Sequence, residues 1–264
     1  MVPRLVATDL DGTLVRKDGT VSPYTRSVLG ELEARGVPVI FVTGRPLRWT
    51  EEVFPHVGSH GLAIVSNGAL VWDVAASLPR LQRAMSVDCI AEVARRIREV
   101  VPGTVFAVEQ LAGFGNEPGY VRRDAEVARN VGPLDELLDE PVFKLLARAG
   151  DVEPEAYWHA VERVVGDLAV VTWTGFAPVP LLEISAPGVT KASTLAMICE
   201  QLGVAAHEVI AFGDMPNDVP MLSWAGTSYA MADAHPLVVS CSHHVAPSHE
   251  EDGVARVLAE VYDL

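Results

Sequence analysis

The sequence has 264 residues and a formal net charge of −15; 49% of its residues are hydrophobic and 21% are charged. This length allows one large domain, or a domain that carries a second, smaller one, with a sizeable buried core. So acidic a chain repels nucleic acid and anionic lipid, which excludes both as expected partners, and any phosphate site must supply its own positive charge.

Cysteine content and hydropathy predict a cytoplasmic protein. The three cysteines are far apart and form no CxxC pair, which disfavours a disulfide framework or a structural zinc site. The first residues lack the charged start and long apolar run of a signal peptide. No apolar stretch reaches the ~18 residues of a membrane helix, so we expect no membrane insertion.

The first third of the chain alternates strand and helix signals. Apolar runs that predict buried strands lie at residues 5–10, 37–42 and 62–65. Ser22 and Pro23 have the pattern of an N-cap and a first helical residue, which predicts a helix to about Arg35. A second helix is expected from Pro46. This alternation is typical of a parallel sheet with covering helices.

The middle of the chain has a different pattern. The predicted elements are helices at 87–100 and 154–165 and strands at 104–108, 142–147 and 168–173. Such a block has the size of a small α/β domain. We place its borders near Leu81 and Glu183. Residues 82–183 would then be inserted between core segments 1–81 and 184–264.

The last part of the chain resumes the first pattern. The predicted elements are a helix at 190–202, strands at 209–212 and 227–231, and a helix at 254–261. Gly203 is placed to terminate the first of these helices. The chain as a whole is therefore expected to be an α/β protein with an inserted second domain.

Four polar clusters follow predicted core strands or open a predicted helix, and this edge of an open α/β sheet is where ligands bind. Asp9 and Asp11 end the first strand, and Gly12 allows a sharp turn. Alone, two aspartates in a loop are equally typical of a solvated turn. Thr43 and Gly44 follow the second strand and present a hydroxyl and an N–H to an anion, or simply an N-cap.

The other two clusters lie in the last part of the chain. Lys191 falls in the first turn of a predicted helix, where a cation is unfavourable unless it faces an anion; an ordinary exposed lysine is the alternative. Asp214, Asn217 and Asp218 follow a buried strand. Such oxygen ligands suit Mg²⁺, although an acidic turn has the same pattern.

In chain order the clusters read Asp-x-Asp-Gly-Thr, Thr-Gly-Arg, Lys and Gly-Asp-x-x-Asn-Asp, which resembles the four motifs of the haloacid dehalogenase superfamily. The inserted block and residues 251–255 resemble the Cof-type branch, with its type IIB α/β cap. One departure is at residues 232–234, Ala-Asp-Ala, where the branch usually has Gly-Asn-Ala. The resemblance implies a Rossmann-like parallel-sheet core with an inserted α/β cap domain that shapes the substrate pocket.

The activity implied by this resemblance is that of a Mg²⁺-dependent phosphatase, which hydrolyses small phosphomonoesters such as a sugar phosphate through an aspartyl-phosphate. Asp9 would be the nucleophile and Asp11 the general acid and base. The implied catalytic residues are Asp9, Asp11, Thr43 and Lys191. The implied phosphate-binding residues are Leu10, Asp11, Thr43, Gly44, Arg45, Lys191 and Asn217. The implied metal residues are Asp9, Asp11 through its carbonyl, Asp214, and Asp218 largely through waters.

Charge supports a metal at this site. Four aspartates in one crevice would repel one another, and one or more would be driven to protonate without a compensating cation. Mg²⁺ and Lys191 would supply that compensation.

Three other functions stay open at this point. A phosphosugar mutase or phosphotransferase of the phosphomannomutase kind has a similar core and cap but passes the phosphoryl group to a sugar hydroxyl. A carbon–halogen hydrolase needs neither acid nor metal, so Asp11 and Asp214 argue against it. A non-catalytic phospholigand-binding protein would not need this complete set of groups. The expected partner is a small phosphorylated metabolite, and the oligomeric state stays open.

Several other features have ordinary interpretations. Residues 113–119 are glycine-rich without GxGxxG spacing and are expected to form a flexible loop, followed by solvated Arg122 and Arg123. Four histidines match no zinc spacing and are expected on the surface or in loops: His235, His243, His244 and His249.

Overall fold

The computed structural model describes residues 2–51, 53–54, 61–121, 128–150, 152–173 and 181–264. The chain divides into two compact units. The core unit comprises the chain up to Leu81 together with Thr190–Leu264, and the inserted unit is Gln82–Val189. The sequence placed the second border at Glu183. That residue lies inside a strand of the inserted sheet, so the division falls after Val189 instead.

Strands and helices alternate along most of the described chain. The strands are β1 Leu5–Thr8, β2 Val39–Val42, β3 Leu62–Val65, β4 Leu70–Asp73, β5 Leu78–Gln82, β6 Val105–Gln110, β7 Gly113–Asn116, β8 Asn130–Val131, β9 Lys144–Arg148, β10 Val170–Trp173, β11 Leu181–Ser185, β12 Val209–Gly213, β13 Thr227–Met231 and β14 His244–Ala246. The α-helices are α1 Pro23–Ala34, α2 Leu47–Thr50, α3 Val87–Val100, α4 Pro154–Val165, α5 Lys191–Leu202, α6 Val219–Trp224, α7 Pro236–Cys241 and α8 Gly253–Tyr262.

The core unit is built on one sheet with the order β14-β13-β12-β1-β2-β3-β4-β5. The strands from β14 to β3 run parallel, and β4 is antiparallel to β3. The central strands β1 and β2 read LVAT and VIFV and are buried along their whole length, as expected for strands covered on both faces. The antiparallel strand β4 and the edge strand β5 were not predicted from the sequence.

Local signals explain where the core helices begin and end. The Ser22 side chain accepts the N–H of Thr25 at the start of α1. Thr190 and Ser193 form a reciprocal capping box at the start of α5, and Gly203 ends that helix in the left-handed conformation. The start of α5 matters for the site, because Lys191 is its first residue.

The inserted unit contains a second sheet with the order β10-β11-β9-β6-β7-β8. Its pairings are antiparallel except that of β7 with β8. The prediction of a flexible loop for the glycine-rich stretch is wrong in part. Gly113–Asn116 is the strand β7, which is paired with β6 and mostly buried. Backbone hydrogen bonds to a neighbouring strand outweigh the low strand propensity of glycine here.

The expected α/β class is confirmed, with a parallel-sheet core and an inserted unit that contains helices and a second sheet. The positions of Arg122 and Arg123 lie outside the described residues. Among the helices of the described ranges, none has both the length and the hydrophobicity to cross a bilayer.

Candidate active site

Three neighbouring strands of the core sheet bring the predicted polar residues to one edge. Strand β1 pairs in parallel with both β2 and β12. Asp9 follows β1, Thr43 follows β2, and Asp214 follows β12. Because parallel strands place their carboxyl ends at the same edge, residues more than 200 positions apart in the chain become neighbours there.

A buried ion-pair cluster lies at the centre of this edge. The Lys191 Nζ donates to Oδ1 of Asp9 and to Oδ1 of Asp218, both at 2.7 Å. The exposed fractions are 2% for Lys191, 4% for Asp9 and 0% for Asp218. A lysine at a helix N-terminus opposes the helix dipole. The two carboxylates offset that cost and hold the ammonium group in place.

The protonation equilibria reflect burial and crowding of charge. Burial raises the pKa of Asp9 well above its usual value; Lys191 opposes this rise, whereas Asp218 and Asp214 add to it. Burial also raises the pKa of Asp214 to about 7, with a further contribution from Asp218. Burial lowers the pKa of Lys191, but Asp218 and Asp9 outweigh it, so the pKa lies above its ordinary value. The single ammonium group does not fully compensate three carboxylates.

Asp9, Asp214 and Asp218 form a possible cation site. Each offers an oxygen, and the three oxygens lie within 4.8 Å of one another. Within the described ranges no other set of three histidine, cysteine, aspartate or glutamate side chains meets this condition. Hard oxygen ligands of this kind fit Mg²⁺, and because that ion binds to one or two carboxylates and keeps several waters, it does not need all three as direct ligands.

The three carboxylates differ in their other partners. The Asp218 Oδ2 accepts the N–H groups of Asp214 and Met215, both at 3.1 Å, while its Oδ1 binds Lys191. Both oxygens of Asp218 are therefore engaged within the protein, which suits an orienting role. The Asp214 Oδ1 accepts a hydrogen bond from Thr13 at 2.9 Å.

Gly12 is required by the position of Asp214. A Cβ at position 12 would lie 2.4 Å from Oδ2 of Asp214, and the backbone has a φ of +72°. Any other residue would collide with the carboxylate and strain the turn. The sequence indicated only the sharp turn; the close approach of Asp214 is a further reason for glycine.

Asp11 lies at the rim, apart from the buried cluster. Its side chain is 57% exposed, and its two oxygens accept from the guanidinium of Arg45, with Nε 2.7 Å from Oδ2. The sequence had assigned Arg45 to phosphate. The structure places its guanidinium on Asp11 and on the carbonyl of Trp49.

The loop after β2 is held by short hydrogen bonds. The buried Thr43 accepts the N–H of Arg45 on its side-chain oxygen at 3.0 Å and donates its own N–H to Ile64. A Cβ at Gly44 would lie 3.0 Å from the Asn67 side-chain oxygen. Leu10 has a buried side chain, and its carbonyl accepts N–H groups of the following turn. The phosphate role expected of Leu10 therefore concerns its backbone N–H.

Asn67 is a site residue that sequence reasoning did not place here. Its side-chain oxygen accepts from Asn217 Nδ2 at 3.2 Å. The sequence signal was present, since Ser66-Asn67-Gly68 ends the third predicted strand, next to the one that carries Thr43. The neighbouring ends of parallel strands converge, so the uncharged Asn67 comes to lie beside Thr43.

The C-terminal histidines are not all on the surface. His249 is 5% exposed, with Nδ1 3.1 Å from Asp233 Oδ2; it lies in the connection between β14 and α8, so it has the expected loop position but not a surface one. His243 accepts the N–H of Ser228. No histidine joins the group of three carboxylates in the described structure.

Comparisons with known proteins agree on the family. A family model described as haloacid dehalogenase-like hydrolase matches residues 6–258. A 5-amino-6-(5-phospho-D-ribitylamino)uracil phosphatase of Bacillus subtilis is 30% identical, over 99% of this chain and 98% of that protein. A phosphoglycolate phosphatase of Methanopyrus kandleri is 28% identical, over 98% and 97%.

Solved structures share the fold over the full length. A Thermotoga maritima protein superposes with a TM-score of 0.80 at 24% identity, covering 98% of this chain and 97% of the other. A sugar phosphatase described as HAD subclass IIB superposes with a TM-score of 0.78 at 19% identity, covering 99% and 100%. At this identity the likeness concerns the fold.

Proposed function

Because the chain belongs to the haloacid dehalogenase-like hydrolase family and is a phosphatase, we propose that it hydrolyses small phosphomonoesters by transferring the phosphoryl group to Asp9, with Mg²⁺ as cofactor. The observation that carries the proposal is the buried Asp9 carboxylate, held at 2.7 Å by Lys191 and within 4.8 Å of the carboxylate oxygens of Asp214 and Asp218. A nucleophile, a fixed cation and a metal-binding carboxylate lie together in this arrangement.

The first step uses Asp9 as the nucleophile. One carboxylate oxygen attacks phosphorus, an aspartyl-phosphate forms, and the bond from phosphorus to the ester oxygen breaks. Lys191 orients Asp9 and stabilises charge on the phosphoryl oxygens, together with Thr43 and the N–H groups of Leu10 and Gly44.

Asp11 moves the protons. In the first step it donates a proton to the departing ester oxygen. In the second step it takes a proton from a water molecule, and that water attacks phosphorus, breaks the bond from Asp9 to phosphorus and releases inorganic phosphate. The Asp11 side chain lies at the exposed rim, where a leaving group and water can reach it. Arg45 orients it through the ion pair, and the phosphate contact expected for Arg45 stays a prediction.

Asp9, Asp214 and the Asp11 carbonyl would hold Mg²⁺, while Asp218 orients Lys191 and the loop that carries Asp214. When bound, the metal supplies positive charge that neutralises the carboxylates and the phosphoryl oxygens. Asn217, at the edge of the cluster, is suited to contact the phosphoryl group or a water.

The proposed substrate class is a small phosphorylated metabolite, including sugar phosphates. The relatives are phosphatases named for a phosphoribitylamino-uracil, for phosphoglycolate and, in Serratia proteamaculans, for HMP-PP. These ligands share a phosphate group and differ in the rest of the molecule. A common phosphate site with a separately chosen leaving group accounts for that diversity.

We assign the choice of leaving group to the inserted unit. Every residue proposed for the chemistry lies in the core unit. Replacing residues 82–189 with a short Gly/Ser linker should change which esters are cleaved, yet leave a folded core that forms aspartyl-phosphate from acetyl phosphate. A folded core that never becomes phosphorylated would contradict this division of roles.

The test of the proposed function is phosphate release from a panel of phosphate esters, with Mg²⁺ and with excess chelator. Wild-type protein should release inorganic phosphate only with the metal. Asp9→Asn should release none, whereas Asp88→Asn, the same change at an exposed carboxylate in α3, should match the wild type. Product analysis with sugar phosphates separates hydrolysis from phosphoryl transfer to a second hydroxyl. Release that survives both the chelator and Asp9→Asn would overturn the mechanism.

A further inference from the structure

The segment Ser66–Gly68 has an unusual backbone for its composition. Ser66, Asn67 and Gly68 have φ values of 51°, 55° and 106°, so three consecutive residues have positive φ, and two of them are not glycine. Ser66 and Asn67 are 2% and 5% exposed. Left-handed backbone is unfavourable for a residue with a Cβ and persists where the surroundings enforce it.

The backbone of this segment binds the loop that follows β2. Ser66 donates its N–H to the carbonyl of Arg45 at 2.9 Å, and Asn67 donates its N–H to the carbonyl of Thr43 at 3.1 Å. The left-handed turn therefore holds both ends of the Thr43–Arg45 loop. These two bonds fix the loop to the end of β3.

The same segment also binds the start of α5. The Thr194 hydroxyl donates to the carbonyl of Gly68 at 2.7 Å. A Cβ at Gly68 would lie 2.3 Å from the carbonyl oxygen of Thr190, so the two backbones touch. Lys191 directly follows Thr190, and the segment therefore abuts the helix turn that carries the buried ammonium group.

The Asn67 side chain completes these contacts. Its Oδ1 accepts from Asn217 Nδ2 at 3.2 Å and lies against Gly44, where a Cβ would be 3.0 Å away. One side chain thus lies between the Thr43 loop and the Asn217 loop. Three of the four motif clusters meet at this segment.

We infer that Asn67 is a positioning residue of the phosphate site. Asn67 fixes the carboxamide of Asn217 and the Gly44 backbone so that both contact the same phosphoryl group. This inference rests on the proposed function. Asparagine is a common left-handed turn residue, and a purely structural role is the alternative. The two readings predict opposite outcomes for replacement by glycine.

The decisive variant is Asn67→Gly. Glycine adopts the required φ without strain, which offsets much of the greater flexibility it gives the unfolded chain, so the protein should stay folded with little change in melting temperature. If Asn67 positions Asn217, kcat for an aryl phosphate should fall by about tenfold or more, because small misplacements of contact groups are costly in catalysis. A fully active Asn67→Gly enzyme would overturn the inference.

The matched control is Ser77→Gly. Ser77 also has a positive φ, 53°, but lies exposed between β4 and β5. It should likewise show little change in melting temperature, with unchanged kcat and KM. Loss of activity here would mean that relief of strain, and not loss of the Asn67 carboxamide, lowers the rate.

A double mutant tests the route through Asn217. If Asn67 acts in part by fixing that side chain, the loss of kcat in Asn67→Gly combined with Asn217→Ala should be clearly smaller than the product of the two single losses. Multiplicative losses would contradict the coupling.

Asn67→Asp supplies an independent readout. It keeps an acceptor for Asn217 and tolerates the left-handed conformation. We expect kcat within about threefold of the wild type but a severalfold higher KM, because a carboxylate would repel the anionic substrate. An unchanged KM would place Asn67 away from the phosphate and overturn the inference. Wild-type protein that releases no phosphate from any ester would instead overturn the proposed function, and the inference with it.

Discussion

Two buried lysines, one in each unit, illustrate what separates a candidate active site from a structural ion pair. Lys191 in the core unit binds Asp9 and Asp218 at 2.7 Å, and Lys144 in the inserted unit binds Glu183 at 2.8 Å. Both side chains are 1% exposed. Burial of a paired lysine is therefore common to the two regions.

The two clusters differ in how their partners are supplied. Lys144 and Glu183 lie on neighbouring antiparallel strands, β9 and β11, where Glu183 is paired with Leu146, so Lys144 is its diagonal neighbour across the two strands. Around Lys191, the carboxylates are those of Asp9 after β1, Asp214 after β12 and Asp218 in the turn that follows β12. One oxygen of each lies within 4.8 Å of the other two. Convergence of several like charges at the carboxyl edge, rather than burial of a cation, distinguishes the site.

The largest effect is expected from Asp9→Asn. An amide has nearly the same shape as the carboxylate but is a poor nucleophile, so phosphate release should fall by about 10⁴-fold or more. Glu183→Gln makes the same chemical change in the cluster of the inserted unit and should leave kcat for an aryl phosphate within about twofold. Steady-state phosphate release and circular dichroism of the variants are the measurements. A folded Asp9→Asn enzyme with wild-type turnover would remove the covalent step.

A direct comparison is possible at the two lysines. Lys191→Met leaves two buried carboxylates without their cation and should lower the free energy of unfolding by about 3–5 kcal/mol, whereas Lys144→Met leaves the partly buried Glu183 unpaired with Lys144 and should lower it by less. Lys191→Met should also lower kcat by about 10²–10³-fold, the scale of losing one charge-stabilising donor. Urea unfolding measures the loss of stability, and kcat per folded molecule measures the loss of activity. Equal losses of kcat would mean that both clusters serve the reaction.

Metal binding should belong to the core cluster alone. Mg²⁺ at about 100 times its dissociation constant should stabilise the folded protein by about 2.7 kcal/mol. Asp214→Ala should raise the Mg²⁺ concentration for half-maximal activity by about 100-fold and should weaken the thermal response to the metal. The Glu183→Gln protein should respond like the wild type. An Asp214→Ala protein that keeps both the activity and the thermal shift would remove Asp214 from the metal site.

The smallest effect is expected at exposed ion pairs. Arg45 and Asp11 pair at the rim of the site, and Arg95 pairs with Glu92 and Glu99 on α3. Both Arg45→Lys and Arg95→Lys should change the free energy of unfolding by no more than about 1 kcal/mol.

Only Arg45→Lys should lower kcat, by about tenfold, because lysine cannot bind both oxygens of Asp11 in one plane. Chemical denaturation and the pH–rate profile of the two variants check this. A normal profile for Arg45→Lys would show that Asp11 does not need orientation.

Much of the secondary structure could be predicted because its signals are local. The bounds of α3 and α4 agree with the residue ranges predicted from the sequence, and for α3 the amphipathic spacing was the signal. The strand at β7 and the border beyond β11 were missed for the same physical reason. Glycine-rich β7 is a strand only because β6 supplies its hydrogen-bond partners, and Glu183 belongs to the inserted sheet because β9 and β10 flank it.

The sequence by itself determined which chemical groups are available and in what order, since aspartates, threonine and lysine after strands or at a helix start can be read from short motifs. Only the tertiary structure decided which groups meet. Lys191 and Asp9 are 182 residues apart. The parallel pairing of β1 with β2 and β12 sets the edge that carries Asp9, and the contact of α5 with Gly68 after β3 brings Lys191 to it. The tertiary structure also pairs Arg45 with Asp11 and holds Asn67 in a left-handed backbone conformation between two loops. Contacts between distant segments depend on strand order, which no local pattern encodes.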